Sequence, residues 1–293
     1  MPRRHLFAAT IPFWTACEPA PKSTETSAKP YTPEVPASLI LEDWNRATLT
    51  LVDPGTEPRS VLRAPVATPG EPVMVQWETV FETTAKRGVT TTVPSKVRQK
   101  RLLRIVPSAG TPTATLDFIV VEASERVAGG PPPSKNLEQE LVSRTGRWRS
   151  TERCEVMQAG IDSSGADAAR PHLPGLLRSA AESCPILPGE AVGIGARWTT
   201  TENTTSGDER VTEWVLTTLN DTQASVTFQS SEGPDTLAEG RVGLDRAHMI
   251  PNRFDATGRT VRKRRDPSSP NRSIRWTTTW EMHAERKADM PRP

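Results

Sequence analysis

The chain has 293 residues, room for one or two domains, and its 37 Lys and Arg against 35 Asp and Glu leave a net charge of +2. That balance argues against a dedicated nucleic-acid binder, and no apolar run approaches the roughly 18 residues of a membrane-crossing helix. With 28 Pro, 36 Thr and 35% hydrophobic residues the chain is poor in helix formers, which excludes an all-α bundle, and no collagen, coiled-coil or metal-cluster spacing occurs.

Residues 1–17 have the layout of an export signal: Arg3 and Arg4 precede a compact apolar stretch, Leu6 to Trp14, and Thr15-Ala16-Cys17 follows. A small residue before a cysteine is also the lipobox pattern, in which the cysteine is acylated, so Cys17 is the expected lipidation site. Trp14 departs from that pattern, where an aliphatic residue is usual. The alternatives are an ordinary signal peptide with an incidental cysteine, or a misassigned start codon. Residues 18–37 are rich in Pro, Ser, Thr, Lys and Glu and nearly free of large apolar side chains. Such a segment cannot bury enough surface to offset its ordering entropy, and is expected to be a disordered tether.

From residue 38 the pattern has a period of two. Val73, Val75, Trp77, Thr79 and Phe81 alternate with Met74, Gln76, Glu78, Val80 and Glu82. The same phase holds for Leu116, Phe118 and Val120; for Ala224, Val226 and Phe228; and for Ile274, Trp276, Thr278, Trp280 and Met282. Alternation of this kind puts one face on a core and the other in water, as in antiparallel sheet. Turn residues separate the runs at Asp53-Pro54-Gly55, Lys86-Arg87-Gly88, Ser108-Ala109-Gly110, Ser206-Gly207-Asp208 and Asn220-Asp221.

Gly129 to Pro133 reads GGPPP and breaks the pattern. Residues 168–183 form the best helix candidate: Leu173, Leu176, Leu177 and Ala180 share a face, and Pro171 and Pro174 must lie at its start. Cys154 and Cys184 flank that helix and are expected to form a disulfide in an oxidising compartment, with two buried free thiols as the alternative. A repeat is visible: Pro69-Gly70-Glu71 leads to Trp77, and Pro188-Gly189-Glu190 leads to Trp198. The expected fold is mainly β, an antiparallel sheet forming a half-open barrel or sandwich from two related halves, with one short helix between them. Its single domain spans residues 38–293, with a first half at 38–128, a helix-containing connection at 129–186 and a second half at 187–287.

The segment Leu187-Pro188-Gly189-Glu190-Ala191-Val192-Gly193-Ile194-Gly195-Ala196-Arg197-Trp198 resembles one that recurs in uncharacterised predicted lipoproteins of high-GC Gram-negative bacteria. There a proline turn, an acidic residue, Val-Gly-x-Gly and an aromatic open a late strand. The preceding short helix and Gly240-Arg241-Val242-Gly243-Leu244-Asp245 are similar too. In layout the resemblance covers residues 38–285, but it is specific only over 187–198, where Ala191 replaces a frequent second proline. It implies a cell-envelope location and carries no activity and no catalytic residue.

The sequence lacks a Gly-x-Ser-x-Gly elbow, a P-loop and a His-Glu-x-x-His motif, and Gly193-Ile194-Gly195 reads as a strand entry rather than a phosphate loop. His172, His248 and His283 read as solvated side chains. No cofactor, metal or catalytic residue is expected. Arg259, Arg262, Lys263, Arg264 and Arg265 form the strongest charge cluster, a solvated hairpin end or a contact for anionic lipid headgroups or polysaccharide. Trp residues at 44, 77, 148, 198, 214, 276 and 280 are expected to be mostly core anchors. Those on a half-open sheet would instead line a groove for an apolar ligand.

The function expected from the sequence is therefore that of an exported envelope protein. It is held to the membrane, the outer one in preference to the inner, by the lipid on Cys17, or is periplasmic or secreted if Cys17 is unmodified. Its role is structural or interactive, with another envelope protein as a candidate partner and no nucleic acid. The alternative is a periplasmic carrier that holds a lipid or acyl chain in a concave sheet. A largely apolar cavity beside the 168–183 helix favours the carrier, a filled core favours the first role, and a cluster of buried carboxylates with perturbed pKa favours an enzyme.

Overall fold

The computed structural model describes residues 35–287 except positions 37, 45–46, 66–68, 88–89, 93, 111–112, 129–134, 205–206 and 267–268. Cys17, the signal-like segment, all of the tether before residue 35 and the GGPPP break lie outside the described residues. The described residues belong to one unit, Thr32–Arg292. No helix among them is long and apolar enough to cross a membrane.

Two short strands come first, β1 (Glu42–Asp43) and β2 (Thr48–Asp53), followed by β3 (Ser60–Val61). The first antiparallel meander begins with β4 (Val73–Arg87), which carries the two-residue β5 (Thr90–Thr91) on its far end. It continues through β6 (Ser95–Ser108), β7 (Ala114–Ala128), β8 (Thr145–Ser150) and β9 (Val156–Ile161). After a connection that contains β10 (Ala191–Val192), the second meander runs β11 (Arg197–Asn203), β12 (Glu209–Leu219), β13 (Gln223–Glu232), β14 (Thr236–Asp245), β15 (Arg253–Asp266) and β16 (Ser269–Lys287). The last strand, β16, pairs along most of its length with β4, so the two meanders join into one sheet of 14 strands. β3 and β10 form a separate two-stranded ladder.

The sheet is antiparallel and is not closed into a barrel. Its order is β1-β9-β8-β7-β6-β4-β16-β15-β14-β13-β12-β11-β2, so one N-terminal segment covers both edges: β1 pairs with β9, and β2 pairs with β11. β1 and β2 become the edge strands of the sheet, and both are short, one of the ways edge-to-edge pairing is limited.

The alternation seen in the sequence sets the inner face. Trp77, Leu103, Phe118, Val226 and Val242 are all buried. Helix α2 (Leu173–Ala181) packs on that face beside β9, burying Leu173, Leu176, Leu177, Ala180 and Ala181. Pro171 lies in a 3-10 turn at Arg170–His172 and Pro174 in the first turn of α2, where a missing N–H costs little. Trp198 is fully buried, donates its indole N–H to Ile186 O at 3.0 Å and stacks on Trp214 at a centroid distance of 6.4 Å.

Three details differ from the sequence expectation. A second helix, α1 (Lys135–Leu141), buries Leu137 and Leu141; seven residues give too little periodicity to announce it. β8 and β9 lie inside the stretch expected to be a helical connection, and they extend the first meander by two strands. Trp276 is 41% exposed, because its part of β16 runs past the end of β14.

Gly193-Ile194-Gly195 is the turn that feeds β11. Gly193 N donates to Pro54 O, and a Cβ on Gly193 would stand 1.6 Å from Thr56 O. Gly195 has φ +85. Close approach of two backbones requires Gly193 and a left-handed backbone favours Gly195, which accounts for both without a phosphate loop.

Candidate functional site: the concave face of the sheet

Register converts the inner face into rows that run across the strands. The deepest row joins Trp77, Ala284, Phe254, Val242, Val226 and Leu216. Two residues further along each strand the row is Thr79, Met282, Ala256, Gly240, Phe228 and Trp214. The next is Phe81, Trp280, Gly258, Ala238, Ser230 and Thr212. The fourth is polar throughout: Thr83, Thr278, Thr260, Thr236, Glu232 and Arg210, with Glu202 beyond it on β11. The concave face thus grades from apolar at the floor to polar at the rim.

Small residues on β14 and β15 make room for the rings. A Cβ on Gly240 would meet Phe228 Cε1 at 2.6 Å, and one on Gly258 would meet Trp280 Cζ2 at 2.2 Å. Aromatic rings lying over a neighbouring strand's glycine compensate for the missing side chain. Trp214, Phe228 and Phe254 continue as a line of ring contacts with centroids 5.1 and 5.9 Å apart.

Between this wall and the C-terminal end of α2 lies a cavity of about 410 Å³. Trp44, Trp77, Trp214, Phe254, Trp280 and Met282 supply its apolar walls, and the Cys154–Cys184 region forms part of the opposite side. The volume falls within the roughly 300–1,000 Å³ of small-molecule sites, and aromatic walls with a few convergent polar groups are their usual lining.

The polar groups converge on Arg210. Its Nη1 lies 2.9 Å from Glu202 Oε1 and 3.2 Å from Glu182 Oε2, and its Nε lies 3.3 Å from Glu232 Oε2. Arg178 Nε lies 3.3 Å from Glu182 Oε1, one helical turn back. Burial raises the carboxyl of Glu182 above its ordinary value, against the pull of Arg178 and Arg210; the Glu202 charge adds to the rise. Glu182 is also the C-cap of α2, where the helix dipole disfavours an anion. Burial pushes Arg210 down, but the three carboxylates outweigh it and hold the guanidinium above its usual value. Hydroxyl pairs Thr212–Ser230 at 2.9 Å and Thr83–Thr278 at 3.0 Å complete the rim.

No family model matches the chain, and no curated protein matches it. Among solved structures the chain is similar to lipovitellin, in work on that protein's lipid–protein interactions. The identity is 10% and the TM-score 0.49, over 78% of this chain and 26% of the lipovitellin chain. The chain thus spans about a quarter of that protein's length.

Cys154 and Cys184 are joined in a disulfide with Cα atoms 5.7 Å apart. It ties the turn between β8 and β9 to the end of α2, and so fixes one side of the cavity. Cys154 has φ +62, a conformation that an L-residue other than glycine adopts only when its surroundings impose it. Arg259, Arg262, Lys263, Arg264 and Arg265 all lie on β15: Arg259 still pairs with Leu237 of β14, and the other four follow the end of that pairing. His283 is half-buried, with Nδ1 2.6 Å from Asp255 Oδ1 on the neighbouring strand. His248 lies 3.9 Å from Asp245 Oδ2. Among the described residues no group of three or more His, Cys, Asp or Glu is placed to hold a metal.

The Arg210 cluster was missed in the sequence, although a signal was present. Glu202 is in phase with Trp198 and Thr200, Arg210 with Thr212 and Trp214, and Glu232 with Phe228 and Ser230. Charges in phase with the inward-facing residues of three strands mark a polar site inside the sheet. Glu182 carries no such signal, because it reaches the cluster from the helix.

Proposed function

We propose that the protein binds an acyl chain or a similar amphipathic lipid in the concavity of its sheet and does so as an exported, lipid-anchored protein of the cell envelope. The observation that carries the reading is the graded cavity beside α2: aromatic at the floor and polar at the rim. An acyl chain against Trp77, Phe254 and Trp280 exchanges water-exposed surface for apolar contact at roughly 25 cal/mol per Å². At the rim Glu182, whose carboxyl burial raises above its ordinary value, and the hydroxyls of Thr212 and Ser230 are polar groups that would meet an ester or carboxyl headgroup. The anchor and the envelope location rest on the signal-like segment, on Cys17 as lipidation site and on the disulfide, which persists in oxidising compartments.

Acid–base catalysis at Glu182 is the second reading, favoured by its raised carboxyl and by the three carboxylates gathered around one arginine. Charge balance accounts for that gathering more simply, since each carboxylate is turned onto Arg210.

Organic extraction and mass analysis of the purified protein, with displacement of a fluorescent fatty acid, tests the carrier reading. An acyl species is expected at near one per chain, lost from a Ser230→Trp variant that fills the cavity while melting as a folded protein. A folded wild type that retains no lipid and takes up no probe overturns the proposal.

A further inference from the structure

Beyond the rim the sheet narrows to a tongue. β14 makes its last pairing at Thr236 with Thr260, whereas β15, β16 and β4 run on together to the row of Arg264, Ile274 and Arg87. On this tongue register places Lys263 directly beside Arg275, and Arg275 beside Lys86. All three are exposed, and none makes an ion pair among the described residues. Like charges directly opposite across strands destabilise a sheet, so a row of three is maintained at a cost that a counter-anion removes. Arg259, Arg262, Arg264 and Arg265 extend the same basic segment along β15.

The other face of the tongue carries the exposed indole of Trp276, with Arg262 beside it on β15. From Trp276 the inward stripe of β16 continues through Thr278 to Trp280 and Met282, which line the cavity. Cations combined with a half-exposed tryptophan match a bilayer interface, where the indole sits at headgroup level and the cations meet anionic lipid.

We propose that the end of this tongue dips into an anionic lipid bilayer, bringing Lys86, Lys263 and Arg275 on one face and Arg262 with Trp276 on the other to headgroup depth. Trp276 and Trp280, on one face with Thr278 of the polar rim between them, then mark the route of a lipid between bilayer and cavity. That path rests on the carrier reading, but the docking does not. A charged polysaccharide would use the cations and leave the exposed indole of Trp276 idle, so lipid is the better match.

The test uses the full chain with Cys17→Ala, so that no N-terminal acyl group contributes, sedimented with vesicles. Binding to phosphatidylcholine vesicles containing phosphatidylglycerol is expected to be at least tenfold stronger than to phosphatidylcholine alone, and to fall in high salt. Each cation near such a surface strengthens partition about fivefold, so Lys86→Gln with Lys263→Gln and Arg275→Gln should weaken binding by well over tenfold. Trp276→Ala should weaken it severalfold while leaving the melting temperature in place. Equal binding to both vesicle types, an unaffected triple variant, or retention on an anionic polysaccharide without vesicle binding overturns the proposal. Loss of vesicle binding with lipid still extracted from the cavity would sink the docking and leave the carrier reading standing.

Discussion

Trp280 lies flat against Gly258 of the neighbouring strand, so close that a Cβ on residue 258 would stand 2.2 Å from its ring. The glycine is there for space, since its backbone is ordinary strand. This contact holds the indole down as a wall of the cavity. Gly258→Ala is expected to lift the ring and cost about 1–3 kcal/mol, the usual penalty of overpacking. Adding Trp280→Ala should recover part of that loss, because the clash partner is gone, and a double-mutant cycle measures the coupling. Additive effects of the two changes would show that the ring does not rest on residue 258.

Trp198 and Trp276 are one residue type in two environments: fully buried and 41% exposed. Trp198→Ala removes a buried indole, its stacking on Trp214 and its hydrogen bond to Ile186, and should cost about 3–5 kcal/mol in denaturant unfolding. Trp276→Ala should stay within about 0.5 kcal/mol of wild type. Equal midpoints for the two variants would contradict the burial assigned to each.

The contrast between these two residues also shows what could be read from the chain. Period-two alternation found the strands and which residues face inward, because a half-buried sheet writes its register into the sequence. It placed Trp77 and Trp198 in the core and the helix between Cys154 and Cys184. It could not place Trp276, which has the same phase as Trp280, because exposure there depends on where β14 stops. Nor could it bring Glu182 onto Arg210, which depends on how α2 docks in the concavity. Those are tertiary facts about neighbours distant in sequence.

The disulfide closes a separation of 30 residues that includes β9 and α2. On the chain-entropy account, Cys184→Ser should cost about 3–4 kcal/mol. Because Cys154 and Cys184 both line the cavity, the variant should bind acyl probes more weakly as well. Two free thiols, found by mass on protein prepared without reductant, would remove the basis for both effects.

The pH dependence of stability should carry the mark of Glu182. Its carboxyl is raised above the usual 4.5, first by burial, so the folded chain holds a proton there that the unfolded chain has released. Stability must fall as pH rises from about 4.5 through the raised value, because the native state binds more protons across that window. Asp245 and Asp255 run the other way. Burial pushes each up, but Arg286 and the backbone N–H of Ala247 on Asp245, and Arg253 and His283 on Asp255, bring both below 3.8. Their stabilisation is present above that ordinary value and is lost as pH falls through the lowered one. Glu182→Gln removes only the first effect. Its stability relative to wild type should therefore rise as pH climbs from 4.5 through the raised value and then level off, while the acid-side loss due to Asp245 and Asp255 stays the same in both proteins. Urea midpoints measured from pH 4.5 upward report the difference, and parallel curves for wild type and Glu182→Gln would show that Glu182 ionises as an ordinary carboxylate.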